Sequence, residues 1–243
     1  MDSGFYSAFT GFSTRLDALE VVANNLANAN TTGYKAQVSF YRAMPAWLQE
    51  SLTTPLNQVV NRFGVLGGGQ VDMTAGNLER TENPTDVALQ SAGFFNVQTK
   101  GGVRYTRDGN FQLNANRQLV TANGDTVLGE QGPLQIPSGQ ITISEDGTIS
   151  VDGGVVAKLK VTEFANATDL RPEGSTYFAS QATGKLSANP RVMQGSLETS
   201  NANPVKSTVA LIELQRTAQM MEKALSIFHN EFNKTAAQDL PRV

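Results

Sequence analysis

Residues 3–28 read SGFYSAFTGFSTRLDALEVVANNLAN, and their spacing decides the architecture. Phe5, Phe12, Leu19 and Leu26 recur every seven residues, with Phe9, Leu16 and Ala23 between them. That a/d stripe predicts an amphipathic helix ~39 Å long, carrying Ser13, Thr14, Arg15, Asp17 and Glu20 on its other faces. Asp2 or Ser3 can cap its start, and Thr31-Thr32-Gly33 punctuates its end. Gly11 costs the helix about 1 kcal/mol relative to Ala. Such a helix cannot bury its stripe alone.

The far end of the chain supplies a counterpart. Leu211, Ala218, Leu225 and Phe232 repeat at the same spacing, with Leu214, Met221 and Phe228 at the alternate positions. Val205, Val209 and Ile212 widen this face. Asn203-Pro204 sets the start, Asn as cap and Pro at the first helical position, and Pro241 bars continuation. The two helices are expected to pair as a coiled-coil-like layer, so that residues 1–33 and 203–243 form one helical domain.

The chain between them reads as β. Asp108-Gly109, Asn123-Gly124, Asp146-Gly147 and Asp152-Gly153 are preferred occupants of two-residue hairpin turns. Short strands flank them: Phe94–Gln98, Val103–Thr106, Phe111–Leu113, Leu119–Thr121, Thr126–Leu128, Ile141–Ser144, Thr148–Val151 and Val155–Phe164. Alternation such as Lys158-Leu159-Lys160-Val161 marks half-buried strands. The expectation is an α+β chain whose terminal helices enclose an antiparallel all-β domain over residues 79–202. Residues 34–78 form an irregular connecting segment, in which Gly67-Gly68-Gly69 reads as a loosely held connection.

Composition narrows the functions. The 243 residues are 40% hydrophobic and only 17% charged, against roughly 25% charged in ordinary soluble domains. Nineteen Asn residues fill part of the gap, and neutral amides pack against protein at little desolvation cost. The net charge is −3 with no polybasic stretch, so a nucleic-acid partner is not expected. No Cys is present, which removes thiol nucleophiles, disulfides and Cys-based metal sites. No apolar run reaches ~18 residues, so membrane insertion is not expected. The first thirty residues lack the layout of a secretory signal.

Catalytic constellations are equally sparse. His229 is the single histidine and sits in the terminal helix, without the partners of a triad or a zinc site. Gly67-Gly68-Gly69 is followed by Gln70 rather than the Lys-Ser/Thr of a phosphate loop. Asp146 and Asp152 lack calcium-loop spacing, and Glu79 with Glu82 is an ordinary pair of neighbouring acids. No catalytic, cofactor or metal residue is assigned. The residues alone leave an assembly protein, a binding module and an enzyme open.

A longer pattern is more specific. Ala23-Asn24-Asn25-Leu26-Ala27-Asn28-Ala29-Asn30-Thr31-Thr32-Gly33-Tyr34-Lys35 resembles the signature of the flagellar basal-body rod and hook proteins. A second block is similar to the same family's β domain: Asp86-Val87-Ala88-Leu89, Gly93-Phe94-Phe95-Asn96-Val97 and Tyr105-Thr106-Arg107-Asp108-Gly109-Asn110-Phe111. Gly195-Ser196-Leu197-Glu198-Thr199-Ser200-Asn201-Ala202-Asn203 resembles the family's approach to its last helix, followed by Gln215-Arg216. Arg117 and Ala202 depart from the family, which usually has Gly and Val there.

This resemblance implies a non-enzymatic structural subunit of the rod, the periplasm-spanning drive shaft that carries motor torque to the hook. It also implies export through the flagellar type III apparatus without a cleaved signal peptide. The implied partners are copies of the chain, neighbouring rod proteins and the export apparatus. The opening Met1-Asp2, Tyr6-Ser7-Ala8 and Gly11 resemble the proximal-rod branch, with the distal-rod branch or a soluble binding module as alternatives. The expected assembly interface is Phe5, Phe9, Phe12, Leu16, Leu19, Leu26, Leu211, Leu214, Met221, Leu225, Phe228 and Phe232. The expected motif residues are Asn24, Asn25, Leu26, Asn28, Thr31, Gly33 and Tyr34.

Overall fold

A computed structural model describes residues 2–42 and 65–239, with side chains described for 9, 11–38, 70–166 and 168–227. Helix α1 spans Asp2–Ala27 and helix α2 spans Pro204–Asp239. Two compact units emerge. One holds both helices with β1 (Gln37–Arg42) and most of β2 (Val65–Val71). The other comprises Ala27–Ala36 and Val71–Asn203.

The expected coiled-coil-like layer of α1 against α2 is not found, which corrects the sequence reading. Among the described residues, the fully buried positions of α1 are small or polar, while Phe12, Leu19 and Leu26 are half-buried. Ala18 is 2% exposed and Thr14 and Asn25 are buried, whereas Phe9 is 55% and Leu16 44% exposed. The most covered positions are therefore Thr14, Ala18 and Asn25, with Gly11 half-buried like Phe12, Leu19 and Leu26 of the apolar stripe. Small side chains permit close approach to a neighbour. A Cβ built at Gly11 would stand 3.9 Å from the Met221 methyl carbon. On α2, Leu211, Leu214, Met221 and Leu225 are half-buried and Ala218 is buried. Val205, Val209 and Ile212, expected to widen that face, are exposed instead.

In the second unit a ten-stranded antiparallel sheet follows the order β15-β16-β6-β5-β9-β8-β7, with β10 on β9 and β14 bridging β5 to β17. These are β5 (Phe94–Thr99), β6 (Gly102–Thr106), β7 (Phe111–Leu113), β8 (Leu119–Thr121), β9 (Thr126–Gly129), β10 (Gly132–Pro133), β14 (Val161–Glu163), β15 (Leu170–Glu173), β16 (Tyr177–Ser180) and β17 (Lys185–Leu186). A three-stranded sheet comprises β11 (Ile141–Ile143), β12 (Thr148–Val151) and β13 (Gly154–Lys158). Two short pairs complete the unit: β3 (Leu78–Arg80) with β19 (Ser196–Glu198), and β4 (Val87–Leu89) with β18 (Val192–Gln194).

Strand β5 is covered on both faces. Consecutive side chains of a strand point to opposite sides. Phe95 meets Phe111 edge-on at 5.2 Å within the main core, and Phe94 meets Phe178 at 5.4 Å within a second cluster.

Three of the four turn dipeptides close hairpins: Asn123-Gly124 joins β8 to β9, Asp146-Gly147 joins β11 to β12, and Asp152-Gly153 joins β12 to β13. Asp152 and Gly153 have φ of 50° and 83°, as a primed turn requires. Asp108-Gly109 does not form a hairpin, because β6 pairs with β5 and β16 while β7 pairs with β8. Gly67-Gly68-Gly69 lies inside β2 rather than in a loose connection.

Candidate functional site

The three sequence blocks quoted above meet at a buried ionic cluster. Lys35 Nζ lies 2.6 Å from Glu198 Oε1, with both side chains 1% exposed, and Arg107 Nη1 lies 3.1 Å from Glu198 Oε2. Glu198 Oε1 also accepts the Gly76 N–H at 2.8 Å. Lys35 donates further to the Thr74 carbonyl at 2.6 Å, and Arg107 to the carbonyls of Leu89 and Ser91. The Arg107 guanidinium stacks over the Phe94 ring at 5.4 Å, a cation–π contact that offsets part of its desolvation. Burial pushes Lys35 below the usual lysine range despite the attraction of Glu198, and it lowers Arg107 for the same reason.

Glycine makes the close approach possible. Gly33 has φ +66°, and a Cβ there would stand 2.1 Å from the Asp108 backbone nitrogen. Its N–H donates to the Glu198 carbonyl at 2.7 Å. Thr32 Oγ1 donates to Asp108 Oδ1 at 3.0 Å, which also accepts the Asn110 N–H at 3.1 Å. Gly109 fits because a Cβ there would lie 1.6 Å from the Val87 carbonyl oxygen. The dipeptide that resembled a hairpin turn is therefore a seat for the N-terminal motif.

Burial raises the Asp108 carboxyl above the usual carboxylate range, against the Asn110 and Thr32 hydrogen bonds, with Asp86 adding to the rise. The folded protein therefore binds this proton more readily than the unfolded chain does. Ionised Asp108 costs stability at neutral pH, and that cost is relieved as pH falls through its folded pKa towards ~3.9. Asp108→Asn keeps an acceptor for both donors and removes the charge. Its urea midpoint should equal or exceed that of the parent at pH 7, the difference vanishing near pH 4. Asp108→Ala should lose about 1–2 kcal/mol at both values.

The motif asparagines also serve the backbone. Asn25 pairs with Gln37 at two points: its Nδ2 donates to the Gln37 carbonyl at 2.7 Å, and its Oδ1 accepts the Gln37 N–H at 2.8 Å. Asn24 donates to the Glu20 carbonyl, and Asn28 accepts from the Thr31 hydroxyl. Tyr34 is buried and Leu26 half-buried. Arg117 takes φ 60° and donates to the carbonyls of Ile136 and Pro137, contacts that Gly could not make.

Of the expected interface residues, Phe9 and Leu16 are exposed, while Phe12, Leu19, Leu26, Leu211, Leu214, Met221 and Leu225 are half-buried. The side chains of Phe5, Phe228 and Phe232, and that of His229, lie outside the described residues. The ionic cluster was not singled out from sequence. The signal was there: in a chain poor in charge, Lys35, Arg107 and Glu198 each fall inside one of the three blocks.

Comparison with known proteins follows the same three blocks. A family model described as flagella basal body rod protein matches residues 5–35. The flagellar hook protein FlgE/F/G D1 domain matches 88–151, and the flagellar basal body rod FlgEFG protein C-terminal model matches 193–235. The flagellar basal-body rod protein FlgF of Escherichia coli K12 is 36% identical over 243 residues, covering 93% of this chain and 94% of that protein. The chain belongs to the flagellar basal-body rod protein family.

Rod proteins named FlgF from Salmonella typhimurium and Caulobacter vibrioides match likewise. The first is 35% identical over 95% of this chain and 96% of its own, the second 32% over the whole of both. The chain is thus a structural rod subunit of the flagellar basal body. Each of the three family segments contributes one member of the Lys35–Arg107–Glu198 cluster.

Proposed function

We propose that this chain is the proximal-rod subunit, polymerising into the axial drive shaft that crosses the periplasm and carries motor torque to the hook. It assembles with copies of itself and with neighbouring rod and hook components, and it is delivered by the flagellar type III export apparatus. Its role is mechanical rather than catalytic. The observation that carries this reading is the large apolar surface left open on both terminal helices. Phe9 and Leu16 are exposed on α1, and on α2 Val205 is 71% and Ile227 61% exposed, with Val209, Ile212 and Met220 between them. Exposed apolar residues recurring at i, i+4 and i+7 on one helix, as at Val205, Val209 and Ile212, mark a protein interface. Contacts between unlike faces propagate into open helical assemblies when they do not close into rings.

Deletion of the gene followed by electron microscopy of purified basal bodies tests the role. The expected outcome is basal bodies whose rods stop short, in cells that do not swim. Loss of only the distal part of the rod would assign the distal-rod role instead, and full-length rods in motile cells would overturn both.

A further inference from the structure

Of the four places where the chain passes between the β unit and the other unit, three lie at the ends of two segments of the β unit: residues 27–36, which run from the end of α1, and residues 199–203, which run into α2. Both are tied to each other and to residues 72–77. Gly33 N–H donates to the Glu198 carbonyl, Ala36 N–H to Asn201 Oδ1, and Asn201 N–H to the Tyr34 carbonyl. Thr199 N–H donates to the Asn77 carbonyl, and Asn201 Nδ2 to the carbonyls of Asp72 and Thr74. At the centre, the Glu198 carboxylate alone faces Lys35, Arg107 and the Gly76 N–H together.

We infer that Glu198 is the pin of an internal latch: its carboxylate holds both of these exit segments in place, and its removal frees them together while the sheet stays folded. The charge count is the reason. Two buried cations share this carboxylate, so neutralising it leaves Arg107 without a carboxylate partner and Lys35 with only the weaker attraction of Asp72, in a low-dielectric site where unpaired charge is costly. Arg107 cannot lose its proton and is anchored by Leu89, Ser91 and the Phe94 ring. Lys35 has an alternative. Its flexible stem can carry the ammonium out to water, and that movement takes residues 33–36 away from Glu198 and Asn201.

The sheet meets the latch at the Phe94 ring of β5, under Arg107 and outside the main core. Its main core, built on Val87, Phe95, Val97, Phe111, Leu119 and Val127, contains none of the latch side chains. The strand beside the pin, β3, is three residues long and exposed throughout. Among residues 33–36 and 199–201 the buried residues are Gly33, Tyr34 and Lys35, so Tyr34 is the single large apolar group buried there, and segments with few buried apolar contacts open locally at lower free energy than the core. The latch belongs to the fold and stands whatever the helices bind.

Native-state hydrogen exchange on the full chain tests this, comparing the parent with Glu198→Gln, Lys35→Met and the double variant. In Glu198→Gln, peptides covering Gly33–Ala36 and Thr199–Asn201 should exchange at least tenfold faster, with β5 and β9 unchanged. Lys35→Met keeps the Arg107–Glu198 pair and should give a smaller rise confined to the same peptides. The double variant, in which no lysine is stranded, should exchange more slowly than Glu198→Gln alone. An equal rise across β5, or loss of the folded sheet in Glu198→Gln, would make Glu198 a determinant of the whole unit and overturn the latch. Unchanged exchange at the two exits would overturn it as well.

Discussion

Replacing Phe9 and Leu16 together with Ser should stop the chain from entering the rod while lowering the stability of the purified protein only modestly. Phe9 is 55% and Leu16 44% exposed, so the monomer has less packing to lose there than at more covered positions. An interface that covers them gains the remaining burial, about 1 kcal/mol or more for each, given ~1.5–3 kcal/mol for a whole Phe or Leu. That loss recurs at every subunit of a polymer. Leu214→Ser with Met221→Ser should behave differently, because both positions are half-buried in the monomer. That pair should lower the thermal midpoint further, as well as block assembly. His229→Gln, which carries no assigned chemistry, should leave swimming near normal. Motility, rods seen by electron microscopy and a thermal melt of the purified variants decide the matter. Cells that swim normally with Phe9→Ser/Leu16→Ser would remove α1's open face from the interface.

That contrast rests on a point periodicity did not reveal. Period alone identifies α1 as a helix and even its extent, but two stripes share the period. The large one runs through Phe9, Phe12 and Leu16, and the small one through Gly11, Thr14, Ala18 and Asn25. Hydrophobicity favours the large stripe as the covered face. In the fold Thr14, Ala18 and Asn25 of the small stripe are buried, whereas Phe9 and Leu16 of the large one are exposed and Phe12 is half-buried. The strands were easier to read. Phe111–Leu113, Leu119–Thr121 and Thr148–Val151 fall where alternation and turn chemistry put them. Val155–Phe164 read as one strand but is two, since β13 pairs with β12 whereas β14 pairs with β5 and β17. A strand that changes partner keeps its alternation, so the break leaves no local mark. The ionic cluster is harder still. Lys35 and Glu198 are brought together across 163 positions, and no local pattern encodes a pairing of that range. Lys35 and Glu198 are each the single charge of their blocks, whereas Arg107 shares its block with Asp86 and Asp108.

Gly33→Ala should undock the N-terminal motif from the β unit, a larger effect than the same change at Gly124. The two glycines share one demand and differ in another. Both have positive φ, +66° at Gly33 and +84° at Gly124, which costs an alanine roughly 1–2 kcal/mol. At Gly124 nothing lies within 4 Å of an added Cβ, so that cost is the whole effect. At Gly33 the Cβ would meet Asp108 N at 2.1 Å, Asp108 Cα at 2.4 Å and the Arg107 carbonyl carbon at 2.5 Å. All three are backbone atoms of the segment that carries Arg107, so no side-chain rotation relieves the contact. Residues 31–36 must lift away, and the Gly33–Glu198 and Thr32–Asp108 hydrogen bonds go with them. Each of those bonds is worth about 1 kcal/mol, and Lys35 is drawn away from Glu198 at the same time. The expected loss at Gly33 is therefore at least twice that at Gly124. Urea unfolding measures the two losses, and limited proteolysis should nick Gly33→Ala within 27–36 while Gly124→Ala remains resistant there. Equal losses in the two variants would show that the motif tolerates a Cβ and that Gly33 serves only its backbone angle.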